Sequence, residues 1–206
     1  MKNVIFDWSG VVKDCVLGQL WIVNRIFEKF GATPISLKEF KENWEQPFIL
    51  FFNKYLPKLS IEEEQIAYKE AIFNKDCPKS YASSGIVELI KKLKSKGTFL
   101  AVVSSDFPET IFPELKEDGL ENIFDEIVTN THNKFEAVQD IIKKNNLNLE
   151  DTFFIGDSNH EIEVAKKTGI KSVAVTWGFN SEQKLRAGNP DFIVENTKEL
   201  ESIFVI

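Results

Sequence analysis

Apolar positions along the chain follow two regimes that change near residue 80. Before it, Val16, Leu20, Val23, Phe27 and Phe30 recur at alternating steps of four and three, which is one face of a helix. Gly31 and then Pro34 end that run. Ser36 with Glu39 and Ser60 with Glu63 have capping-box spacing. They predict one helix through Phe40 and Trp44 and another through Ile66, Tyr68 and Ile72. Between these, Pro47 precedes an apolar segment, FILFF at 48–52, that reaches Tyr55. Residues 14–80 therefore predict a helical unit without strand-like alternation. The unit follows a short run of β-formers, Val4, Ile5 and Phe6, that stops on Asp7 and a Ser-Gly break.

Beyond residue 80 short buried strands alternate with helices. Ile86, Leu89, Ile90 and Leu93 form a helix face closed by Gly97, and residues 98–103 (TFLAVV) read as a strand. Residues 123–128, 152–155 and 172–176 predict further strands, with helices at 134–145 and at 161–168, the latter closed by Gly169. Such alternation indicates an α/β fold with a parallel sheet and crossover helices. The expected organisation is a core of residues 1–13 and 81–206, with an α-helical unit of residues 14–80 inserted after the first strand.

Composition narrows the function. The chain has 206 residues, 43% hydrophobic and 28% charged, ordinary values for a globular protein. A net charge of −7 argues against nucleic acid or anionic lipid as the main partner. The first apolar run is interrupted by Asp7, which disfavours a secretory leader, and no apolar run is long enough to predict a membrane span. A cytoplasmic protein is expected. Cys15 and Cys77 lack the spacing of a zinc or redox pair and read as reduced thiols. His132 and His160 are too few and too distant for a histidine metal cluster.

Polar groups that could converge sit at the carboxyl ends of the expected strands, or at the start of the next helix. They are Asp7 with Ser9, Ser104 with Ser105, Lys134, and Gly156-Asp157-Ser158 followed by Glu161. In open α/β sheets ligands bind at this edge. Asp7 and Asp157 at neighbouring strand ends would make a hard-oxygen site suited to Mg²⁺. The Ser104 hydroxyl and the Lys134 ammonium are the donor and the positive charge that a phosphoryl group requires. A screened carboxylate such as Asp7 can attack phosphorus to give an aspartyl phosphate.

In this order the stretches VIFDWSGVV, VVSS, Lys134 and FFIGDSNHE resemble the four motifs of the haloacid dehalogenase superfamily. The tail VAVTWGFNSEQKLRAGNPDFIVENTKEL is similar to the ending of its phosphoglycolate-phosphatase-like branch. The helical insertion sits where that branch carries a small cap. The resemblance implies a Rossmann-like three-layer core, a mobile cap, Mg²⁺, and hydrolysis of a small phosphorylated substrate through a covalent aspartyl intermediate. It further implies Asp7 as nucleophile and metal ligand, with the Ser9 carbonyl and Asp157 completing the protein's share of the metal shell. Ser104, Ser105 and Lys134 would hold the phosphoryl group, and Glu161 would act near the metal through water.

Two positions depart from the pattern. The family's phosphatases carry a second Asp two residues after the nucleophile, as general acid and base; here that residue is Ser9. A serine hydroxyl is a poor proton donor at neutral pH, and general acid–base help is worth ~10²–10⁴-fold. Ser9 thus leaves open a slow phosphohydrolase or a phosphate-ligand-binding or regulatory protein. Glu161 stands where Asp is usual. The dehalogenase branch also lacks the second Asp but needs no metal, and Asp157 favours the Mg²⁺-dependent phosphoryl branch.

Overall fold

The computed structural model describes residues 2–131 and 133–204. In chain order its elements begin with β1 (Asn3–Phe6), β2 (Lys13–Asp14), α1 (Val16–Phe30), α2 (Leu37–Asn43), α3 (Phe48–Tyr55) and α4 (Ile61–Ile72). Next come β3 (Tyr81–Ala82), α5 (Ile86–Ser95), β4 (Phe99–Val103), α6 (Pro108–Glu117), β5 (Glu126–Val128) and α7 (Lys134–Asn145). The chain continues with β6 (Thr152–Gly156), α8 (Asn159–Thr168), β7 (Lys171–Val175), α9 (Glu182–Ala187), β8 (Phe192–Val194) and α10 (Thr197–Phe204).

Six strands form one sheet in the order β5-β4-β1-β6-β7-β8, and every pairing is parallel. β1 lies in the interior, with Phe6 opposite Val102 of β4 and Ile155 of β6. Side chains alternate across it as the strand period of two requires. Val4 and Phe6 join an apolar layer with Leu89 and Leu93 of α5 and Leu115 of α6. Ile5 faces the opposite way, into a layer with Val138 and Ile141 of α7 and Val164 of α8. A Rossmann-like three-layer α/β core results, as expected. After β1 the chain steps outward to β4 and β5, then returns to β6 on the other side. The order therefore reverses between β1 and β6, and the carboxyl ends there open a crevice suited to ligands.

Helices α1 to α4 pack on one another around a second apolar cluster that includes Phe27, Phe40, Trp44, Phe51 and Phe52, all buried. They leave and rejoin the core through β2 and β3, an antiparallel pair at Lys13–Ala82 and Asp14–Tyr81. Trp8 seals this junction: its side chain is buried and its Nε1–H donates to Glu114 Oε2 at 2.6 Å, while Ser80 Oγ donates to Glu114 Oε1. FILFF does two things. Phe51 and Phe52 are core, whereas Phe48 lines cavities.

The carboxyl-terminal pattern was incompletely read. Helix α6 has Pro108 in its first turn and Pro113 inside, and the prolines disguised the apolar face of Ile111 and Leu115. Strand β5 begins at Glu126, because residues 121–123 form a turn before it. Past residue 176, α9, β8 and α10 are short elements that periodicity did not separate from loop.

Lys13, 1% exposed, pairs through Nζ with Asp118 Oδ2 at 2.8 Å, tying the β2 end to the end of α6. Breaking one side of a buried ion pair leaves an uncompensated charge. Asp118→Ala is expected to lower stability by about 3 kcal/mol in urea denaturation. A loss under about 1 kcal/mol would show that water reaches Lys13 and replaces the carboxylate.

Candidate active site

The end of β1 puts Asp7 at the sheet's switch point. Its backbone N–H continues the ladder to the Ile155 carbonyl at 2.9 Å, and its side chain is 3% exposed. Asp7 Oδ1 accepts from the Trp8 backbone N–H at 2.8 Å, and Oδ2 meets Lys134 Nζ at 2.8 Å. Lys134 opens α7, where the helix dipole alone would disfavour a cation. It also reaches Glu161 Oε1 at 2.7 Å, and all three side chains are buried. Burial acts to lower the lysine's pKa, but the charges of Asp7 and Glu161 outweigh it and hold the ammonium above its usual value.

Glu161 has a second attachment. Its Oε2 accepts from the Ser158 N–H and hydroxyl at 3.1 and 2.6 Å, completing a capping box at the start of α8. Burial pushes its pKa up, yet Lys134 overcomes this and holds the carboxyl below its ordinary value. Asp157, fully buried at the end of β6, is different. Its Oδ2 accepts from the Phe179 N–H at 2.6 Å, while Oδ1 is buried without a hydrogen-bond partner among the described residues. Burial, reinforced by Asp7 and Glu161, drives its pKa well up. Burial likewise raises Asp7 to about 7, against the opposing pull of Lys134.

Glycines let the backbone close on Asp157. A β-carbon at Gly10, where φ is +79°, would fall 1.9 Å from Asp157 Oδ2, and one at Gly178 would fall 2.1 Å from the same atom. Asp7, Asp157 and Glu161 each present an oxygen within 4.8 Å of the others'. Three carboxylates around a single ammonium, with one buried oxygen unpartnered, form a donor set that fits a hard divalent cation.

A second group meets on the other side of Asp7. Ser9 Oγ and Ser104 Oγ both donate to Asp106 Oδ2, at 2.7 and 2.9 Å, and the Asp106 N–H donates back to Ser104 Oγ at 3.1 Å. Asp106 was missed in the sequence. It stands two residues past Ser104, in the turn before the proline-obscured helix α6, and the signal was its carboxylate directly behind VVSS. Ser105 is half-buried and lines both this cleft and the larger cavity beside it. His160 is half-buried next to Lys134, and burial lowers its pKa. His132 lies outside the described residues. Cys15 and Cys77 are free.

The cleft over Asp7 and Ser9 is roofed by Gln19, Trp44, Phe48 and Tyr68 from the helical unit and holds only about 10 Å³. Past Ser105 and Asp106 it adjoins a cavity of about 390 Å³ beneath α4.

The chain belongs to the haloacid dehalogenase-like hydrolases, whose family model matches residues 4–175. A phosphoglycolate phosphatase of Synechococcus elongatus is 26% identical over 97% of the chain and 95% of its own length. The pyrophosphatase PpaX of Oceanobacillus iheyensis is 24% identical, over 98% and 96%. A haloacid dehalogenase-like family protein from Streptococcus pneumoniae superposes with a TM-score of 0.82 at 22% identity, over 99% of this chain and 98% of that one. These relatives bear out the resemblance to the phosphoglycolate-phosphatase-like branch.

One wall of the larger cavity has a measurable consequence. Glu64 of α4 is 6% exposed, and burial pushes its carboxyl from 4.5 up to about 7. The folded protein thus keeps a proton that the unfolded chain releases, so this group's penalty grows as pH rises from 4.5 through 7. Glu64→Gln should match the wild type in melting temperature near about pH 4 and exceed it near about pH 8. Parallel melting curves across that range would refute the assignment.

Proposed function

We propose that this protein is a phosphatase that hydrolyses a small phosphorylated metabolite through an aspartyl phosphate on Asp7. The observation that carries the reading is the buried Asp7–Lys134–Glu161 array beside the unpartnered Oδ1 of Asp157. Names of the relatives, a phosphoglycolate phosphatase and a pyrophosphatase, support phosphoryl chemistry. No helix among the described residues is long and apolar enough to cross a membrane.

Asp7 attacks phosphorus, an oxygen–phosphorus bond forms, and the ester oxygen departs with its electron pair and takes up a proton. Water then attacks the phosphorus of the aspartyl phosphate, returns the Asp7 carboxylate and releases phosphate. Lys134 holds Asp7 in line and offsets charge on the phosphoryl oxygens, with the Ser105 hydroxyl and the Ser104 hydroxyl, turned from Asp106, donating hydrogen bonds to them. Asp7, Asp157 and the Ser9 carbonyl would hold Mg²⁺, and Glu161, both of whose oxygens are engaged, would meet it through water. The ion supplies charge neutralisation at the phosphoryl group. Residues 14–80 act as a cap over the core of 1–13 and 81–206, and the cleft lined by Gln19, Trp44 and Phe48 of the one and by Asp7, Ser9 and Ser104 of the other supports this division.

Ser9 is the weak point of the array. Its hydroxyl cannot replace a carboxylic acid, and the Asp106 carboxyl, in contact with Ser9, would give a proton through that hydroxyl to the departing oxygen and take one back from the attacking water. The alternative, a phosphate-ligand-binding or regulatory protein with impaired catalysis, draws on the same Ser9.

Mg²⁺-dependent turnover of an activated aryl phosphate is the deciding measurement, and Asp7→Asn should abolish it. Bound Mg²⁺ and an intact fold without turnover would select the binding protein. Asp106→Asn is expected to slow hydrolysis of an alkyl phosphate by about 10²-fold, within the general acid–base range, with a smaller effect on the aryl ester. Equal losses on both esters would assign Asp106 to structure.

A further inference from the structure

Resting on the phosphatase reading, we infer that the cavity beneath α4 receives the leaving alcohol, and that Glu64 selects alcohols bearing a protonated amine over those bearing a carboxylate. The cavity of about 390 Å³ continues from the cleft at Asp7, because Phe48, Tyr68, Ser105 and Asp106 line both. A phosphoryl group seated at Asp7 would therefore direct its ester substituent past Ser105 toward α4.

The walls of that space define the chemistry it accepts. Phe48 and Tyr68 stack nearly parallel, 8° apart with centroids at 6.3 Å, and Tyr68 meets Phe107 edgewise at 6.4 Å. Aromatic faces of this kind attract organic cations. Among the residues that line it the acids are Glu62, Glu64 and Asp106, and the cation is Lys69. Lys69 Nζ lies 5.4 Å from the centre of the Phe107 ring, and the residue itself is solvent-exposed.

Glu64 stands out among the acids. It is 6% exposed and lines the cavity, yet no hydrogen bond or ion pair reaches its carboxyl among the described residues. Tyr68, one turn further along α4, does not serve it, since the phenol donates to Gln19 Oε1 at 3.0 Å. A largely buried carboxyl that lines the cavity without a protein partner relies on water unless a ligand brings it one. A ligand ammonium would do so, and would return to the ionised form a group that burial holds near 7. A ligand carboxylate would face Glu64 and Asp106 with like charge.

Calorimetric titration of the full chain with Mg²⁺ present tests this without turnover. The probes are ω-aminoalkylphosphonates and ω-carboxyalkylphosphonates of matched length, whose carbon–phosphorus bonds are not esters. The amino compound should bind at least about tenfold more tightly at one or more lengths, the scale of one charge-assisted hydrogen bond. Glu64→Gln should shrink that ratio to about threefold or less, with Glu64→Asp retaining more of it. Equal affinities, or a preference for the carboxylates, at every length in the wild type would overturn the proposal. An unchanged ratio in Glu64→Gln would overturn the role of Glu64. The wild-type ratio decides the proposal even where a variant does not fold. Failure here with aryl phosphate turnover intact leaves the phosphatase reading standing; a clear amino preference without turnover does the reverse.

Discussion

The site depends on one buried ammonium held between carboxylates from different parts of the chain. Lys134 starts α7, Asp7 ends β1, and Glu161 lies in the first turn of α8. A lysine there opposes the helix dipole and loses its hydration, so only the two acids keep it charged. The same contact fixes the spacing of the two helices relative to the sheet edge. Asp157 adds a third acid without a second base, and the cluster is left short of positive charge. That deficit makes the centre receptive to a divalent cation and a phosphoryl group together, each compensating the other's charge.

Much of this was legible because the chemistry sits at strand ends. An apolar run followed by a small or acidic residue marks Asp7, Ser104 and Asp157 without knowledge of the sheet order. Lys134 was legible from its place at a helix start. Asp106 was not, because its partners Ser9 and Ser104 come from different strands and only the parallel pairing of β1 with β4 brings them together. Glu64 left a fainter trace. It falls three and four residues before Ala67 and Tyr68, on the buried face of α4, where a charged residue contradicts the helix pattern. Short elements after residue 176 lacked enough turns or alternations to declare a period.

The helical unit and the site are joined through the loop after β7. Phe179 gives its N–H to Asp157, while its ring packs edgewise on Phe40 and Trp44 of the helical cluster. Beside it, Asn180 Nδ2 donates to the Trp44 carbonyl at 3.0 Å and the Ser181 N–H donates to the Lys41 carbonyl at 3.1 Å. Movement of the helices over the cleft would be transmitted directly to an oxygen of Asp157. With only about 10 Å³ over Asp7, a phosphoryl group of the proposed substrate would enter by such movement.

The interior position of β1 also sets when the centre can come into being as the chain folds. Residue 3 pairs with residue 99 on one side and with residue 152 on the other. The first closure spans nearly half of the protein and the second most of it, and long closures of this kind slow folding because chain entropy is lost before contacts are gained. During synthesis the strand carrying Asp7 emerges before both of its neighbours, and its second flank stays open until β6 has been made. The helices of residues 16–72 pack on one another and can condense ahead of it. The Asp7 carboxylate is thus made before either of the strands that enclose it, which spares the incomplete chain a buried charge with no counterpart.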